Sequence, residues 1–235
     1  MEPYGFYHTF INAKAMKITI LCSDSQHPIN EFLENWRSKN CIYHEIEIIR
    51  KKNELAGGDI LFLISCSEVV NKEDRSRYNS ALVLHASDLP SGRGWSPHIW
   101  DIISGAEKIT LSLIEAEDQV DTGKIWKKIE IPIPKSDLWD EINSKLFNAE
   151  IDLIDFAISQ SEIIQPQEQP TNITKSYHPR RTPENSRIDP EQSIHSQFDT
   201  IRVCDPIRFP AFFELHGTRY KITLEKIDEK TNKNQ

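Results

Sequence analysis

Runs of apolar and polar residues divide the first third of the chain into strand-length and helix-length segments. Residues 17–22 are β-branched and end in a polar turn, which predicts a buried parallel strand. Residues 41–49 alternate apolar and polar side chains and predict a half-buried strand. Residues 59–65 are apolar on both faces, which is typical of a central strand covered by helices. A helix is predicted to open at Pro28, because apolar residues recur there every three to four positions.

The middle of the chain has a strand, an interrupted loop and then helical sequence. Residues 81–85 form an apolar run ending in His85, and Pro and Gly residues interrupt the loop before a short helix at 96–104. Two further strands are predicted at 109–116 and 124–133, and a long amphipathic helix follows at 136–160. Strands alternating with helices predict an α/β fold: a doubly wound, Rossmann-like, mostly parallel sheet with helices on both faces.

Composition divides the rest of the chain. Residues 161–176 are rich in Gln, Pro and Thr and are interpreted as a linker, which leaves 16–160 as one domain. Residues 177–228 are expected to form a small α+β appendage with a β-hairpin, because His216-Gly217 separates two apolar runs. Residues 1–15, which precede a second methionine, are interpreted as a leader of uncertain status, and 229–235 as a tail.

Composition and charge narrow the class of protein. The 235 residues are 38% apolar and 27% charged, as in globular proteins that bury a full core. No apolar run approaches the roughly 18 residues that cross a membrane, and no signal peptide is visible, so a cytoplasmic location is expected. The net charge of −8 argues against a large nucleic-acid footprint. The four cysteines lack close spacing, so neither disulfides nor a metal site is expected.

Two motifs carry a resemblance to a known family. Residues 85–97 read HASDLPSGRGWSP and residues 120–123 read VDTG, a combination that resembles the formyltransferases that use 10-formyltetrahydrofolate. A second match lies in residues 179–184, PRRTPE, followed by Ile188-Asp189. The resemblance covers roughly residues 16–133 and implies 10-formyltetrahydrofolate as the co-substrate. It also implies that His85 and Asp121 are the catalytic residues.

The chemistry of formyl transfer suits this pair. An amine attacks the formyl carbon, the formyl oxygen gains negative charge, and a proton moves from the amine. Histidine titrates near neutral pH and can hold and hand over that proton. A neighbouring carboxylate, Asp121, would orient the ring and stabilise its charged form. The alternatives are a structural histidine and an aspartate that only closes a turn.

One position departs from the family pattern. An Asn is expected two residues before the histidine, where this chain has Val83. Residues two apart on a strand share a face about 6.6 Å apart, so an Asn there would join the histidine in binding an oxyanion. A backbone N–H or a hydroxyl, Ser87 or Ser112, is a candidate replacement. Losing one such donor typically costs about 100- to 1000-fold in rate.

The resemblance also implies binding residues. The folate pocket is expected to include one strand end and one loop; its residues are Ile64, Ser65, Cys66, Glu117, Val120 and Asp121. The acceptor is expected to meet residues that follow the histidine, and a basic pair suited to a pyrophosphate; these are Arg93, Gly94, Trp95, His98, Arg180 and Arg181. Trp95 is a candidate for stacking on a base or sugar, with a structural role as the alternative. Intramolecular ion pairing is the alternative for the arginine pair.

The acceptor is inferred from the size of the appendage and from the charge of the chain. Methionyl-tRNA enzymes of the family carry a larger additional domain, whereas a short hairpin unit is closer to sugar N-formyltransferases. The expected acceptor is therefore the amino group of a nucleotide-linked deoxysugar in surface-polysaccharide synthesis. Another small amine, such as a nonulosonic acid or an amino-acid derivative, is the alternative. From a different class, Val83 permits a catalytically silent folate- or nucleotide-binding module. The expected partners are small molecules, without nucleic acid or membrane, and a homodimer is an option.

Overall fold

The computed structural model describes residues 14–227, and the chain divides into two compact units. The first unit comprises residues 1–82 and the second residues 83–235. The expected leader lies almost wholly outside the described residues, and the expected tail lies entirely outside them. The expected domain and linker boundaries, at residues 160 and 176, rest on composition and stay predictions.

The first unit is organised around its first strand. Its elements are β1 (Lys17–Leu21), α1 (Ile29–Asn40), β2 (Glu45–Ile49), β3 (Gly58–Leu63), α2 (Lys72–Arg75) and the start of β4 (Tyr78–His85). β1 pairs in parallel with β2 on one side and with β3 on the other. Ile18 and Ile20 of β1 are fully buried, as the β-branched pattern predicts.

One strand of this unit is shorter than predicted. β2 begins at Glu45 instead of residue 41, because the amides of Tyr43 and His44 both donate to the Asn40 carbonyl. These two bonds, of 2.9 and 3.1 Å, continue the turn that ends α1. The turn chemistry therefore overrides the alternation of apolar residues in this stretch.

The second unit contains the end of β4, a β-meander, a long helix and a hairpin. Its elements are β5 (Arg93–Gly94), α3 (Pro97–Ile103), β6 (Lys108–Glu115), β7 (Ile125–Pro132), α4 (Trp139–Gln160), β8 (Tyr177–His178), α5 (Ile194–Arg202), β9 (Ala211–Leu215) and β10 (Thr218–Ile222). β6 and β7 are antiparallel, with a register irregularity between Leu113 and Ile114. Asp121 lies in the turn that joins them.

Six strands form one sheet in the order β2-β1-β3-β4-β6-β7. The sheet is mixed but mostly parallel, which confirms the predicted fold class. His85 is the last residue of β4. In open α/β sheets, ligands bind beyond the carboxyl ends of the strands, and His85 occupies such an end.

The helix α4 packs on β6 and β7 and buries one face. Most of the buried positions are apolar, as the predicted stripe requires, with Ile142, Leu146 and Leu153 at most 3% exposed. Glu150 lies on the same face and is also buried. Glu141 accepts a hydrogen bond from the Leu138 amide and so caps the first turn of the helix.

The C-terminal residues form the expected hairpin. β9 and β10 are antiparallel and joined by His216 and Gly217, both at positive φ, as a two-residue hairpin turn requires. Ala211 packs in a small core with Ile188, Ile201 and Cys204. The hairpin and α5 therefore share a core of their own within the second unit.

The segment expected to be a linker also pairs with the sheet. Gln167 and Ile125 exchange two backbone hydrogen bonds of 2.7 and 2.9 Å. Further on, β8 pairs in parallel with β5, aligning Arg93 with Tyr177 and Gly94 with His178. The first pairing holds the segment against β7, and the second holds the residues that follow the segment against the loop after His85.

Candidate active site

His85 is buried at the end of β4, and both of its ring nitrogens have a partner. Nδ1 lies 3.4 Å from Oδ1 of Asp121, and Nε2 lies 2.9 Å from the carbonyl oxygen of Gly92. The sequence prediction that His85 and Asp121 come together agrees with this geometry. The contact depends on two loops, one after β4 and one between β6 and β7.

Asp121 is held in a left-handed backbone conformation, with φ of 59°. Its Oδ2 accepts a hydrogen bond of 2.9 Å from the amide of Gly94, while its Oδ1 faces His85. The two carboxylate oxygens are thus used for tertiary contacts. Gly123 follows because a Cβ there would lie 1.8 Å from the Glu115 carbonyl oxygen.

The partners of His85 determine how many of its N–H groups can be used in hydrogen bonds. Both partners, the Asp121 carboxylate and the Gly92 carbonyl, are hydrogen-bond acceptors. A neutral imidazole has one N–H to donate, whereas the imidazolium has two. The geometry therefore satisfies the imidazolium form completely and the neutral form only in part.

The loop after His85 leaves no amide among residues 91–95 for an oxyanion. Each of the five amides donates to a protein oxygen at 2.8 to 3.1 Å. The acceptors are the Asp88 carbonyl for Ser91, the Ser176 hydroxyl for Gly92, the Ser176 carbonyl for Arg93, the Asp121 carboxylate for Gly94 and the His178 carbonyl for Trp95. None of these five amides can therefore replace the side chain of the family Asn.

The two candidate hydroxyls are also unsuited to that role. Ser112 Oγ, fully buried on β6, donates to the Ser87 carbonyl at 2.6 Å. Ser87 is 1% exposed, and its Oγ has no hydrogen-bond partner within the described chain. A Cβ on Gly92 would lie 2.8 Å from Ser87 Cβ, so the loop packs directly on this serine. Both hydroxyls are buried, so neither can take the role of the Asn that Val83 replaces.

An open cavity of about 460 Å³ adjoins the site. Its lining contains two cations, an aromatic ring and no acidic residue; the residues are Arg93, Gln119, Val120, Lys175, Ser176 and Tyr177. Arg93 and Val120 connect it to the two loops that hold His85 and Asp121. An anionic group with an attached ring would match this lining.

The other predicted acceptor residues lie near the loop but do not line the cavity. Gly94 has φ of 98°, and a Cβ there would lie 2.3 Å from the His178 carbonyl oxygen. Trp95 is 38% exposed, and the Arg180 guanidinium lies 4.9 Å from its ring centroid. His98 is half-buried in the first turn of α3. Arg181 donates to the Asn185 carbonyl and the Ser186 hydroxyl, an intramolecular role.

The predicted folate residues fall in both units. In the first unit, Ile64 is fully buried, and Ser65 is exposed with φ of 46°. Burial raises the pKa of the Cys66 thiol, against a hydrogen bond to the Glu68 backbone that lowers it, so the thiol stays protonated at neutral pH. In the second unit, Glu117 and Val120 are exposed.

Two residues of the expected linker contact the site and were not predicted. Ser176 accepts from the Gly92 amide, and Gln169 donates to the carbonyls of Asp121 and Gly123. Composition alone marks this stretch as a surface connection. Three glutamines at alternate positions, Gln165, Gln167 and Gln169, are the signal that this stretch of sequence offers.

Residues 14–227 contain neither a cluster of metal-ligating side chains nor a membrane-spanning helix. No group of three or more His, Cys, Asp or Glu side chains there is arranged to hold a metal ion. No helix in that part combines the length and apolarity needed to cross a bilayer.

Comparison with known proteins identifies similar sequences. The model of the formyl transferase family matches residues 23–158, more than half of the chain. Over 180 residues the chain is 29% identical to a methionyl-tRNA formyltransferase of Fusobacterium nucleatum. That match covers 75% of this chain but only 57% of the relative.

Comparison with solved structures identifies similar folds. A methionyl-tRNA formyltransferase from Clostridium thermocellum superposes with a TM-score of 0.77 at 24% identity, covering 91% of this chain and 94% of that one. A likely sugar N-formyltransferase from Mycobacterium tuberculosis gives a TM-score of 0.70 at 16% identity, covering 91% and 99%. At these identities the likeness concerns the fold.

Proposed function

The chain belongs to the formyl transferase family, and from that premise we propose that it transfers a formyl group from 10-formyltetrahydrofolate to the amino group of a small anionic acceptor. The observation that carries this proposal is the buried contact between His85 and Asp121 at the end of β4. It supplies an acid–base group and the carboxylate that orients it.

The proposed chemistry assigns one role to each member of the pair. On substrate binding, Nε2 of His85 exchanges the Gly92 carbonyl for the formyl oxygen and stabilises the negative charge that develops there as the amine attacks. As the bond between the formyl carbon and the folate nitrogen breaks, His85 gives its Nε2 proton to that nitrogen and takes up the proton that the amine loses. Asp121 keeps Nδ1 protonated and the ring oriented, so the positive charge faces the substrate.

The amides of residues 91–95 are engaged and the two hydroxyls are buried, so none of these groups can stabilise the oxyanion. We therefore assign that stabilisation to His85. The enzyme is therefore expected to be slower than one with an Asn at position 83, by about 100-fold, which is the usual worth of one oxyanion donor. Because the family Asn is missing at position 83, a catalytically silent binding module remains the alternative.

The cavity supports a small acceptor that carries a phosphate. Arg93 and Lys175 supply two cations, and Tyr177 offers a 68% exposed ring for stacking. We assign this cavity to a nucleotide-linked amino-deoxysugar, with the exposed Arg180 as a further cation near its edge. A nonulosonic acid would satisfy the cations without using the ring.

Transfer to methionyl-tRNA is a second candidate, because the curated relative bears that name. The chain spans 57% of the length of that relative, and its net charge is −8. A tRNA acceptor would need cations that extend well beyond one cavity.

A single assay separates these candidates. The protein is incubated with 10-formyltetrahydrofolate and, in parallel, with 3-amino and 4-amino nucleotide-linked sugars, the same sugars without nucleotide, and methionyl-tRNA. Formylation of the nucleotide-linked sugars alone, detected by mass spectrometry, is the expected result. Formylation of methionyl-tRNA alone would replace the proposed acceptor. Binding of the folate without transfer to any amine would favour the silent module.

Lys175→Ala tests the acceptor site separately. Its expected effect is about a 10-fold rise in KM for the phosphate-bearing acceptor, with kcat nearly unchanged, because the lysine binds a remote charge. Lys124→Ala, an exposed lysine paired with Glu168, is the matched control. An unchanged KM in Lys175→Ala would remove the cavity from acceptor binding.

A further inference from the structure

One side chain of the expected linker uses every hydrogen-bonding group it has on the candidate site. The Nε2 group of Gln169 donates to the carbonyl oxygens of Asp121 and Gly123, both at 3.0 Å. Its Oε1 accepts from Nη2 of Arg93 at 2.9 Å. The donors face carbonyls and the acceptor faces a guanidinium, so only one orientation of the amide satisfies all three partners.

The backbone around Gln169 is itself fixed. Two residues earlier, Gln167 exchanges two backbone hydrogen bonds with Ile125, the first residue of β7. This bridge sets the register of the segment on the sheet, so the side chain two positions later is directed at the Asp121 turn. The side chain of Gln167 is exposed and makes no hydrogen bond within residues 14–227, although its backbone is paired.

The Asp121 turn, to which Gln169 donates, has a backbone conformation that needs stabilising contacts from outside the turn. Asp121 has φ of 59°, a conformation that a residue with a Cβ adopts at a cost of about 1 kcal/mol or more. Within the turn, the Thr122 hydroxyl donates to the Gln119 carbonyl at 2.6 Å. The two bonds from Gln169 hold the carbonyls on either side of Thr122. They thereby fix the direction in which the Asp121 carboxylate projects.

We propose that Gln169 is a positioning residue, which aligns Asp121 with His85 and ties that alignment to Arg93 of the acceptor cavity. The inference rests on the proposed function for its kinetic consequences. Its structural part, control of the Asp121 turn by one amide, stands on the hydrogen bonds alone.

Two substitutions separate the two functions of the amide. Gln169→Glu keeps an acceptor for Arg93 but has no donor for the two carbonyls, so kcat should fall about 10- to 100-fold while KM for the acceptor is kept. Gln169→Ala loses both sets of bonds, so kcat should fall to a similar degree and KM should rise. Gln167→Ala, on the same segment, is the matched control and should leave both constants within about 2-fold.

A readout that does not need turnover makes the positioning role testable by itself. The Gly94 amide donates to Oδ2 of Asp121, so its proton resonance in a ¹H–¹⁵N spectrum reports the position of that carboxylate. Asp121→Asn provides the reference displacement of the Gly94 signal. Gln169→Ala and Gln169→Glu should displace the signal, and Gln167→Ala should not.

The outcomes distinguish failure of the two proposals. An unmoved Gly94 signal in both Gln169 variants would overturn the positioning role, whatever the enzyme does. Displaced Gly94 signals in the Gln169 variants, together with a wild type that transfers no formyl group, would support the positioning role and count against the proposed function. Equal loss of thermal stability in all three variants, with no change specific to Gln169, would make the residue merely structural and overturn the proposal.

Discussion

Asp121 and Glu150 are carboxylates of the same unit, and each is 6% exposed. Their surroundings differ in the number of partners. Asp121 receives the Gly94 amide and faces His85, whereas Oε2 of Glu150 has no hydrogen-bond partner within residues 14–227. Two equally buried carboxylates therefore differ in whether the protein offers them polar partners.

The absence of partners determines the protonation of Glu150. Burial raises its pKa to about 8, because the charged form loses its hydration and gains nothing in return. Glu150 is thus expected to be protonated at neutral pH and to act as a polar defect on the buried face of α4. Asp121, by contrast, has the Gly94 amide at Oδ2 and the His85 ring at Oδ1. The comparison teaches that the arrangement of donors, and not depth of burial, separates a functional carboxylate from a structural one.

The largest expected effect is on Asp121→Asn. The variant keeps the size of the side chain but removes the charge that orients His85, so formyl transfer should fall about 1000-fold. Steady-state assays with the acceptor identified in the panel measure the loss. Asp118→Asn, an exposed carboxylate in the same loop, is the control and should stay near wild type. Activity within 10-fold of wild type in Asp121→Asn would contradict the role of the charge.

The second largest effect is expected for Glu150→Gln, which should change the pH dependence of the unfolding free energy without affecting formyl transfer. Because the folded-state pKa is raised from 4.5 to about 8, the stability contributed by the protonated form is full below pH 4.5 and is lost as pH rises towards 8. At about 1.4 kcal/mol per pH unit, roughly 3 kcal/mol of unfolding free energy should disappear between pH 5 and pH 8.

Denaturant unfolding at those two pH values checks this expectation. The pH-dependent loss should be reduced by about 3 kcal/mol in Glu150→Gln, since the amide does not ionise. Asp152→Asn, exposed on the same helix, should retain the loss seen in wild type. Identical pH dependence in wild type and Glu150→Gln would show that Glu150 is hydrated or partnered in solution.

Val83→Asn should have a smaller effect, in the direction of gain. It supplies the missing donor on the face of β4 that carries His85, and rate should rise up to about 100-fold if oxyanion stabilisation limits the reaction. Val83→Ala controls for the altered packing and should not accelerate transfer. A rate in Val83→Asn at or below that of Val83→Ala would indicate that another group already serves.

The smallest effect is expected for an exposed carboxylate with a close partner. Glu130 lies 2.5 Å from Lys108, and both side chains are about two-thirds exposed. Solvent screens this pair, so Glu130→Gln should change the unfolding free energy by less than about 1 kcal/mol. Measured in the same denaturant series, a loss as large as that at Glu150 would break the contrast between buried and exposed carboxylates.

The sequence predicts the strands that are buried on both faces and the pair at the site, because each leaves a local signal. Residues 60–64 are continuously apolar, and the HASDLP and VDTG motifs contain His85 and Asp121. The buried Glu150 leaves no such signal. It interrupts an apolar stripe by one residue, as exposed glutamates also do.

Long-range contacts made by polar side chains are not predictable from the same patterns. Gln169 lies 48 residues from Asp121, and its role depends on a two-bond backbone bridge between Gln167 and Ile125. Two polar residues of the segment, Gln169 and Ser176, bond to the site, yet polarity alone is typical of a linker. The same limit applies to the early start of the predicted strand at 41–49, where bonds to a single carbonyl prolong a turn.

The central claim is that His85 and Asp121 act as one unit in formyl transfer, and a double-mutant cycle tests it most directly. Rates are measured for wild type, His85→Gln, Asp121→Asn and the double variant under identical conditions. If Asp121 acts through His85, the double variant should be at most a few-fold slower than His85→Gln. Losses that multiply in the double variant would mean that the two residues act independently, and would contradict the proposed pair.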